Sequence, residues 1–282
     1  MHRLNNFDLI RIFAALCVLV SHQHALTGLP EPTVLHAETL GGLGVLIFFS
    51  ISGFLVAQSW MADPQPWRFA LRRLLRIWPG LAVAIAVTAL ILGPLVSGLP
   101  AGAYFSHPLL PAYALNLGFN LHDQLPLTFV GNALPHAINS SLWTIPLELQ
   151  CYVALGLLGL AGLLRHPWLL TALTVGAALL TYLVGEPLYR QHPELLQWRI
   201  EHVYLLHFGL FFFSGASLSR LQLHLRPGRA LVVLGVLWVL GGLALGLVQQ
   251  RFRLLNGQRC GLKKPGEPGF FVARVVASRW AA

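Results

Sequence analysis

The 282-residue chain is 56% hydrophobic and only 10% charged, with a mean hydropathy of +0.66. Soluble globular domains carry about 25% charged residues, so this composition excludes that class and predicts a polytopic helical membrane protein. The net charge is +9, but most of the basic excess falls in residues 250–282. Basic and aromatic residues do not interleave, and no glycine-rich phosphate loop is present, so no nucleic-acid partner is expected.

Apolar runs of about 20 residues match the length that crosses a bilayer. They predict seven helices, near residues 7–26, 41–61, 78–97, 141–164, 167–185, 203–219 and 230–249. The run from Tyr104 to Gly118 is shorter and contains Pro108 and Pro111, which favours a re-entrant or interfacial segment. The predicted fold is an all-α transmembrane helix bundle over residues 1–249, followed by a basic, non-membrane tail over residues 250–282.

The first predicted helix carries ionisable residues at membrane depth. Asp8 and Arg11 are i,i+3 neighbours, and Arg11 and His22 fall about 20° apart around a helix axis. Charges inside a span are costly and usually face a bundle interior, so this stripe is a functional hypothesis. The alternative is that Asp8 and Arg11 are a solvated helix entry, while His22 and His24 mark the helix exit. The run lacks a small-residue cleavage site, so a retained helix is expected.

Arginines in the short loops indicate orientation. Arg68, Arg72, Arg73 and Arg76 precede the third predicted helix, which puts that loop and the N-terminus in the cytoplasm and residues 98–140 outside. Arg165 and the arginines after the sixth helix also fall inside. Seven helices would put the basic tail outside, against the rule. Either one helix is miscounted, or the natural ending has been lost by truncation or a frame change.

Glu148 lies about seven residues in from the outer end of the fourth predicted helix, a depth similar to that of His22. A carboxylate that accepts from one imidazole nitrogen raises the basicity of the other, as a general base requires. The alternative is an acid that stabilises the helix N-terminus. The sequence alone does not show that the first and fourth predicted helices are in contact.

Two further groups of residues have both functional and structural interpretations. Arg72, Arg73 and Arg76 fit a phosphate-binding cluster or a positive-inside anchor. Ser52 and Gly53, in the second helix, fit either a groove for an acyl chain or close helix packing. The isolated cysteines lack metal or redox spacing, and the remaining histidines lack ligand spacing, so no metal site is predicted.

Four motifs follow one another in the first half of the chain: Arg11 and His22 with ten residues between them, FFSISGFL, RRLLR and SLWTIPLELQCY. Together they resemble the acyltransferase-3 family of membrane acyltransferases. Arg11 and His22 match its basic-residue, ten-residue, histidine signature, and FFSISGFL matches its second-helix motif. RRLLR matches its Arg-Arg-x-x-Arg motif, and SLWTIPLELQCY matches its Ser-Leu-Trp, Glu and Tyr motif. The resemblance covers roughly residues 5–155. Departures are Leu149, where a second acid is common, Cys151 in place of a frequent Phe, and seven helices instead of about ten.

The resemblance implies transfer of an acyl group, typically acetyl, from cytosolic acyl-CoA to a hydroxyl of an extracytoplasmic glycan or lipid-linked saccharide. By the same resemblance, His22 is expected to be the general base and Glu148 its support. The expected substrate-binding residues are Asp8, Arg11, Ser52, Arg72, Arg73, Arg76 and Trp143. Acyl-CoA would be a substrate, and no bound cofactor is expected. The expected location is the bacterial inner membrane.

Two rival hypotheses follow from the same residues. A transporter or permease would use the Asp8, Arg11, His22 and Glu148 side chains as a proton or substrate path. It would be expected to show inverted repeats with broken helices, and the sequence has no convincing internal repeat. The anomalous tail motivates the other hypothesis, an inactive, truncated acyltransferase.

Overall fold

The computed structural model describes residues 6–34, 38–131, 138–180, 183 and 200–221. This part of the chain is mainly helical, which confirms the all-α prediction, and its one pair of strands is the two-residue hairpin of β1 and β2. The elements are α1 Asn6–Thr27, β1 Thr33–Val34, β2 Glu38–Thr39, α2 Leu40–Ala62, α3 Pro66–Val87, α4 Gly93–Val96, α5 Ala101–Phe105, α6 Leu109–Ala114, α7 Thr144–Leu160, α8 Pro167–Leu180 and α9 Ile200–Arg220. The seventh predicted helix and the tail lie outside the described residues.

Four of the described helices are long and apolar enough to cross a bilayer: Phe7–Thr27, Leu40–Ala62, Pro66–Val96 and Ser141–Leu160. Helices of this length and composition are those of a membrane protein. The first two match the sequence prediction closely, and α8 is a shorter apolar helix.

The predicted start of the third helix, near residue 78, is wrong. The helix begins at Pro66, whose fixed φ suits the first helical position. The run Pro66–Val96 is 31 residues long, or about 46 Å, against about 30 Å for a hydrocarbon core. The arginines predicted to lie in a loop are therefore on the first turns of this long helix.

The described chain divides into two compact units, Met1–Gln58 with Gly162–Ala282, and Ser59–Ala161. In the first unit, α1 and α2 run antiparallel. A side chain at Gly41 would collide with Ser21, and one at Gly44 would collide with the backbone of Ala14. The glycines of α2 therefore allow the two helices to approach closely.

Helices α2 and α9 run in the same direction. Phe49 stacks on Phe208 with 5.1 Å between ring centroids, and four residues further along each helix Gly53 meets Phe212. Helix α8 runs antiparallel to α9, and Arg220 Nε donates to the Leu164 carbonyl at 2.9 Å. The start of α8 and the end of α9 thus share one end of this unit.

In the second unit, α3 and α7 are antiparallel. Phe69 lies opposite Gly156 near the start of α3. Further along, Leu81 and Ile85 belong to an apolar cluster against which Leu142 packs. The arginines and the end of α7 therefore lie at one end of this unit, and residues 97–131, with Ile138 and Asn139, lie at the other.

Residues 97–131, with Ile138 and Asn139, form a folded segment that we call the cap. It contains α5 and α6, and it covers the far end of the long helix. Tyr104 and Tyr113 are fully buried within it, as is Leu125. The predicted interfacial or re-entrant stretch is therefore two short helices that share an apolar core with the end of the long helix.

The long helix makes a π-helical turn at Thr88–Leu92 beneath the cap. The Tyr104 hydroxyl donates to the Ala89 carbonyl at 2.8 Å. A side chain at Gly93 would occupy the position of that hydroxyl. The Tyr104 side chain of the cap thus provides a hydrogen-bond donor for the Ala89 carbonyl in the π-helical turn. The absence of a side chain at Gly93 leaves space for this contact.

Candidate active site

The stripe on α1 has the predicted ion pair at its start. Arg11 Nη1 lies 3.4 Å from Asp8 Oδ1, and both side chains reach solvent in this structure. At the other end, His22 is exposed, whereas the neighbouring Ser21 is buried and donates to Glu31. His24 Nδ1 bonds to the Val20 carbonyl at 2.9 Å. The pairing of Asp8 with Arg11 is confirmed, while the catalytic role of His22 stays a prediction.

The two interpretations of the second helix can now be compared at Gly53. A side chain there would collide with the Phe212 carbonyl, so α9 covers this face of α2. Gly215 of α9 approaches the Ser50 carbonyl in the same way. Close packing is therefore what Gly53 provides, and a groove at this position is not what the structure shows. Ser52 is buried, and its substrate contact stays a prediction.

The three predicted donor-side arginines have different surroundings. Arg72 Nη1 lies 2.7 Å from Asp63 Oδ2, and its Nη2 donates to the Asp63 carbonyl at 3.3 Å. Arg68 approaches the same carboxylate at 3.9 Å. Arg76 is exposed. Asp63 therefore neutralises much of the charge of Arg72, whereas Arg76 projects outward.

Arg73 instead contacts aromatic rings. Its guanidinium carbon lies 5.9 Å from the Phe69 ring centroid and 5.8 Å from that of Tyr152. The Tyr152 hydroxyl donates to Glu148. Tyr152 therefore links Arg73 of α3 to Glu148 of α7. The i,i+4 spacing of Glu148 and Tyr152 in the sequence indicates the contact between these two side chains.

Glu148 and His22 belong to different units, so their predicted partnership stays a prediction. Trp143 is half-buried in the 3-10 turn Ser140–Trp143, which leads into α7. The turn follows Asn139, whose backbone is left-handed with φ 55°. Asn139 Nδ2 donates to Thr88 Oγ1 at 2.7 Å and to the Tyr113 hydroxyl at 3.1 Å. The cap thereby fixes the start of the helix that carries Glu148.

The polar residues of the cap are mainly structural. Asn116 Nδ2 donates to the Tyr113 and His122 carbonyls at 2.8 and 2.6 Å, and its Oδ1 accepts from the His122 amide at 2.9 Å. Burial raises the pKa values of Tyr104 and Tyr113, even though Asn139 and Thr88 hydrogen-bond to the Tyr113 hydroxyl. These hydroxyls therefore remain protonated at neutral pH.

A narrow cleft lies between the cap and the start of α7. Its volume of about 10 Å³ is far below the roughly 300–1,000 Å³ of ligand pockets, so the cleft is too small for a substrate. Its lining is mostly apolar: Leu81, Asn116, Phe119, Leu121, Leu142, Ile145 and Pro146.

One polar pair was not predicted from the sequence. His207 Nε2 of α9 lies 3.5 Å from Glu38 Oε2, and both side chains are largely buried. This pair lies beside the start of α2, at the same end of the first unit as Ser21. Glu38 is in a two-residue strand and His207 is in a helix without a recognisable motif, so no local pattern joined them.

The structure is that of an all-α membrane protein in which α3 begins with a cluster of arginines. One of these, Arg73, is linked through Tyr152 to the carboxylate of Glu148 in α7. The acyltransferase-3 pattern, described as an acyltransferase domain, matches residues 4–258. The chain belongs to the acyltransferase-3 family.

Two curated proteins share part of this sequence. One, from Shigella phage Sf6 and named O-acetyl transferase, is 40% identical over 157 residues, which are 55% of this chain and 46% of that protein. The other, Nodulation protein 10 of Rhizobium leguminosarum bv. viciae, is 37% identical over 166 residues, 56% of this chain and 44% of that protein. The matches span less than half the length of these relatives. No solved structure matches the chain.

Proposed function

We propose that the chain transfers an acyl group, most simply acetyl, from cytosolic acyl-CoA to a hydroxyl of an extracytoplasmic glycan. The observation that carries the proposal is the family match over residues 4–258. The relative named O-acetyl transferase supports acetyl as the group. The Arg73, Tyr152 and Glu148 contacts place a cation and a carboxylate together inside the second unit.

In the proposed reaction, the acceptor hydroxyl oxygen attacks the thioester carbonyl carbon. The new C–O bond forms, the C–S bond breaks, and His22 accepts the hydroxyl proton before returning it to the departing sulfur. Glu148 is proposed to support His22, and Trp143 and Ser52 to contact substrate. Guanidinium groups suit phosphate, so Arg73 and Arg76, with Arg72, are proposed for the donor and Asp8 with Arg11 for its entrance.

The proposed location is a bacterial inner membrane with the N-terminus in the cytoplasm. The basic start of α3 and the end of α7 would face the cytoplasm, and the cap would lie outside. Reporter fusions after Ala161 and after Gly131 test this orientation, since they should report inside and outside, respectively. The reverse pattern would overturn it.

The function is tested in membranes that contain the full chain, with radiolabelled acetyl-CoA and lipopolysaccharide bearing an unmodified O-polysaccharide. His22→Ala should lower transfer by about 100-fold or more, because general bases contribute about 10²–10⁴-fold. His24→Ala is the matched control, since its imidazole is on the same helix but bonds to the Val20 carbonyl. Equal transfer by wild type and His22→Ala would remove His22 from the mechanism.

A further inference from the structure

Tyr152 occupies the centre of the contacts that join α3 and α7. Its side chain is 3% exposed. Its hydroxyl donates to Glu148, one helical turn earlier on α7, and its ring faces the Arg73 guanidinium, 5.8 Å from centroid to Cζ. One side chain therefore contacts both the cation and the carboxylate that the proposed function uses.

Arg73 depends on rings more than Arg72 does. Arg72 has a carboxylate partner in Asp63, at 2.7 Å. Arg73 instead makes a long hydrogen bond of 3.4 Å to Ser59 Oγ, while among the described residues the buried Nε atoms of both arginines lack a hydrogen-bond partner. The main contacts of the Arg73 guanidinium are therefore with the faces of the Phe69 and Tyr152 rings. Cation–π contacts of this kind are stronger where water is excluded.

The Phe69 ring is itself fixed from behind. It packs edge-on against Trp60 with 5.0 Å between centroids, and Trp60 lies against Gly159 of α7. Phe69 has no polar group to offer, so among these rings Tyr152 is the one that also bonds to Glu148. Its two functions are chemically separable, since the ring serves Arg73 and the hydroxyl serves Glu148.

We propose that Tyr152 is a positioning residue for acyl transfer, with its ring holding Arg73 toward the donor and its hydroxyl orienting the Glu148 carboxylate. The inference rests on the proposed function. We expect the Tyr152 ring to determine the affinity for the acyl-CoA donor and the Tyr152 hydroxyl to determine the turnover rate. Tyr152→Phe removes only the hydroxyl, while Tyr152→Leu removes both contacts.

The test uses the full chain in membranes, with acetyl-CoA varied at a fixed amount of the same lipopolysaccharide. Tyr152→Phe should lower kcat by about 10-fold or more, the size of a lost hydrogen bond to a charged group, and leave the KM for acetyl-CoA unchanged. Tyr152→Leu should also raise that KM by roughly 5- to 30-fold, the range of a buried cation–π contact. Tyr104→Phe is the matched control, because its buried hydroxyl also donates a hydrogen bond, but to the Ala89 carbonyl of the long helix beneath the cap.

A merely structural role would lower the amount of folded protein and leave kcat per folded molecule and KM unchanged, as expected for Tyr104→Phe. Wild-type transfer combined with an unaltered kcat in Tyr152→Phe would overturn the inference and leave the proposed function standing. If Tyr152→Leu does not fold, as judged by gel filtration in detergent, the kcat and KM of Tyr152→Phe decide alone.

If wild type transfers no label, the proposed function fails and titration calorimetry with coenzyme A judges the inference separately. Weaker binding by Tyr152→Leu than by Tyr152→Phe supports the role of the ring. Equal binding by the two variants, or no binding by wild type, overturns it.

Discussion

Replacing Asn139 tests how the cap fixes the start of α7. Its amide donates two hydrogen bonds, to Thr88 and Tyr113, and each contributes about 1 kcal/mol. Its backbone has φ 55°, a left-handed conformation that costs most residues about 1 kcal/mol more than Asn or Gly. Asn139→Ala should therefore destabilise the protein by about 3 kcal/mol, and Asn139→Gly by about 2 kcal/mol.

These differences are measurable as thermal shifts of the full chain in detergent, followed by tryptophan fluorescence. At roughly 2–4 °C per kcal/mol, Asn139→Ala should lower Tm by about 6–12 °C, and Asn139→Gly by about 4–8 °C. The gap between the two variants reports the backbone term. A Tm within about 1 °C of wild type for both variants would refute the role of the amide. Identical shifts in the two variants would refute the backbone term.

Three other predictions concern the helix contacts, the ion pair and the buried tyrosines. Gly53→Ala should destabilise the protein by about 1–3 kcal/mol, because its methyl group meets the Phe212 carbonyl, whereas Gly80→Ala has open space and should be neutral or slightly stabilising in the same melting assay. A loss in both variants, or in neither, would contradict the close approach of α2 and α9. Asp63→Asn should lower Tm by only about 2 °C, since both side chains of the Asp63–Arg72 ion pair are partly exposed. This shift in Tm should shrink in 1 M NaCl, and Arg76→Gln should leave Tm unchanged. A loss of Tm that does not depend on salt would contradict the ion pair. Raising the pH above about 10 should lower the free energy of unfolding, because the folded state holds the Tyr104 and Tyr113 protons more tightly than the unfolded state does. Melting curves from pH 8 to 11.5 should show that Tm depends less on pH in Tyr113→Phe than in wild type. The same dependence of Tm on pH in both proteins would contradict the burial argument.

Hydropathy and spacing predicted the all-α class and the first two spanning helices well. The Asp8 and Arg11 pair was also predictable, because it depends only on local helix geometry. The early start of the third helix was missed since its first turns are rich in arginine, which an apolar window rejects. Pro66 marked that start in the sequence, as a proline at the first helical position.

The cap and the Arg73 site depend on contacts that no local pattern specifies. Leu127 and Phe129 have positive φ, where side chains of this kind are rare, so the path of the cap is set by packing. The contact between Arg73 and Tyr152 depends on the antiparallel alignment of α3 with α7, and a shift of one residue would break it. The spacing of Glu148 and Tyr152 was visible, but the identity of the cation was not.

The π-helical turn at Thr88–Leu92 has an evolutionary consequence. One extra residue in a helix rotates everything beyond it by about 100° relative to a regular helix. A single insertion in an ancestral chain could thus have turned the cap end of the helix while leaving the angular placement of the arginines intact. The residues at the two ends of this helix would then be free to diversify separately.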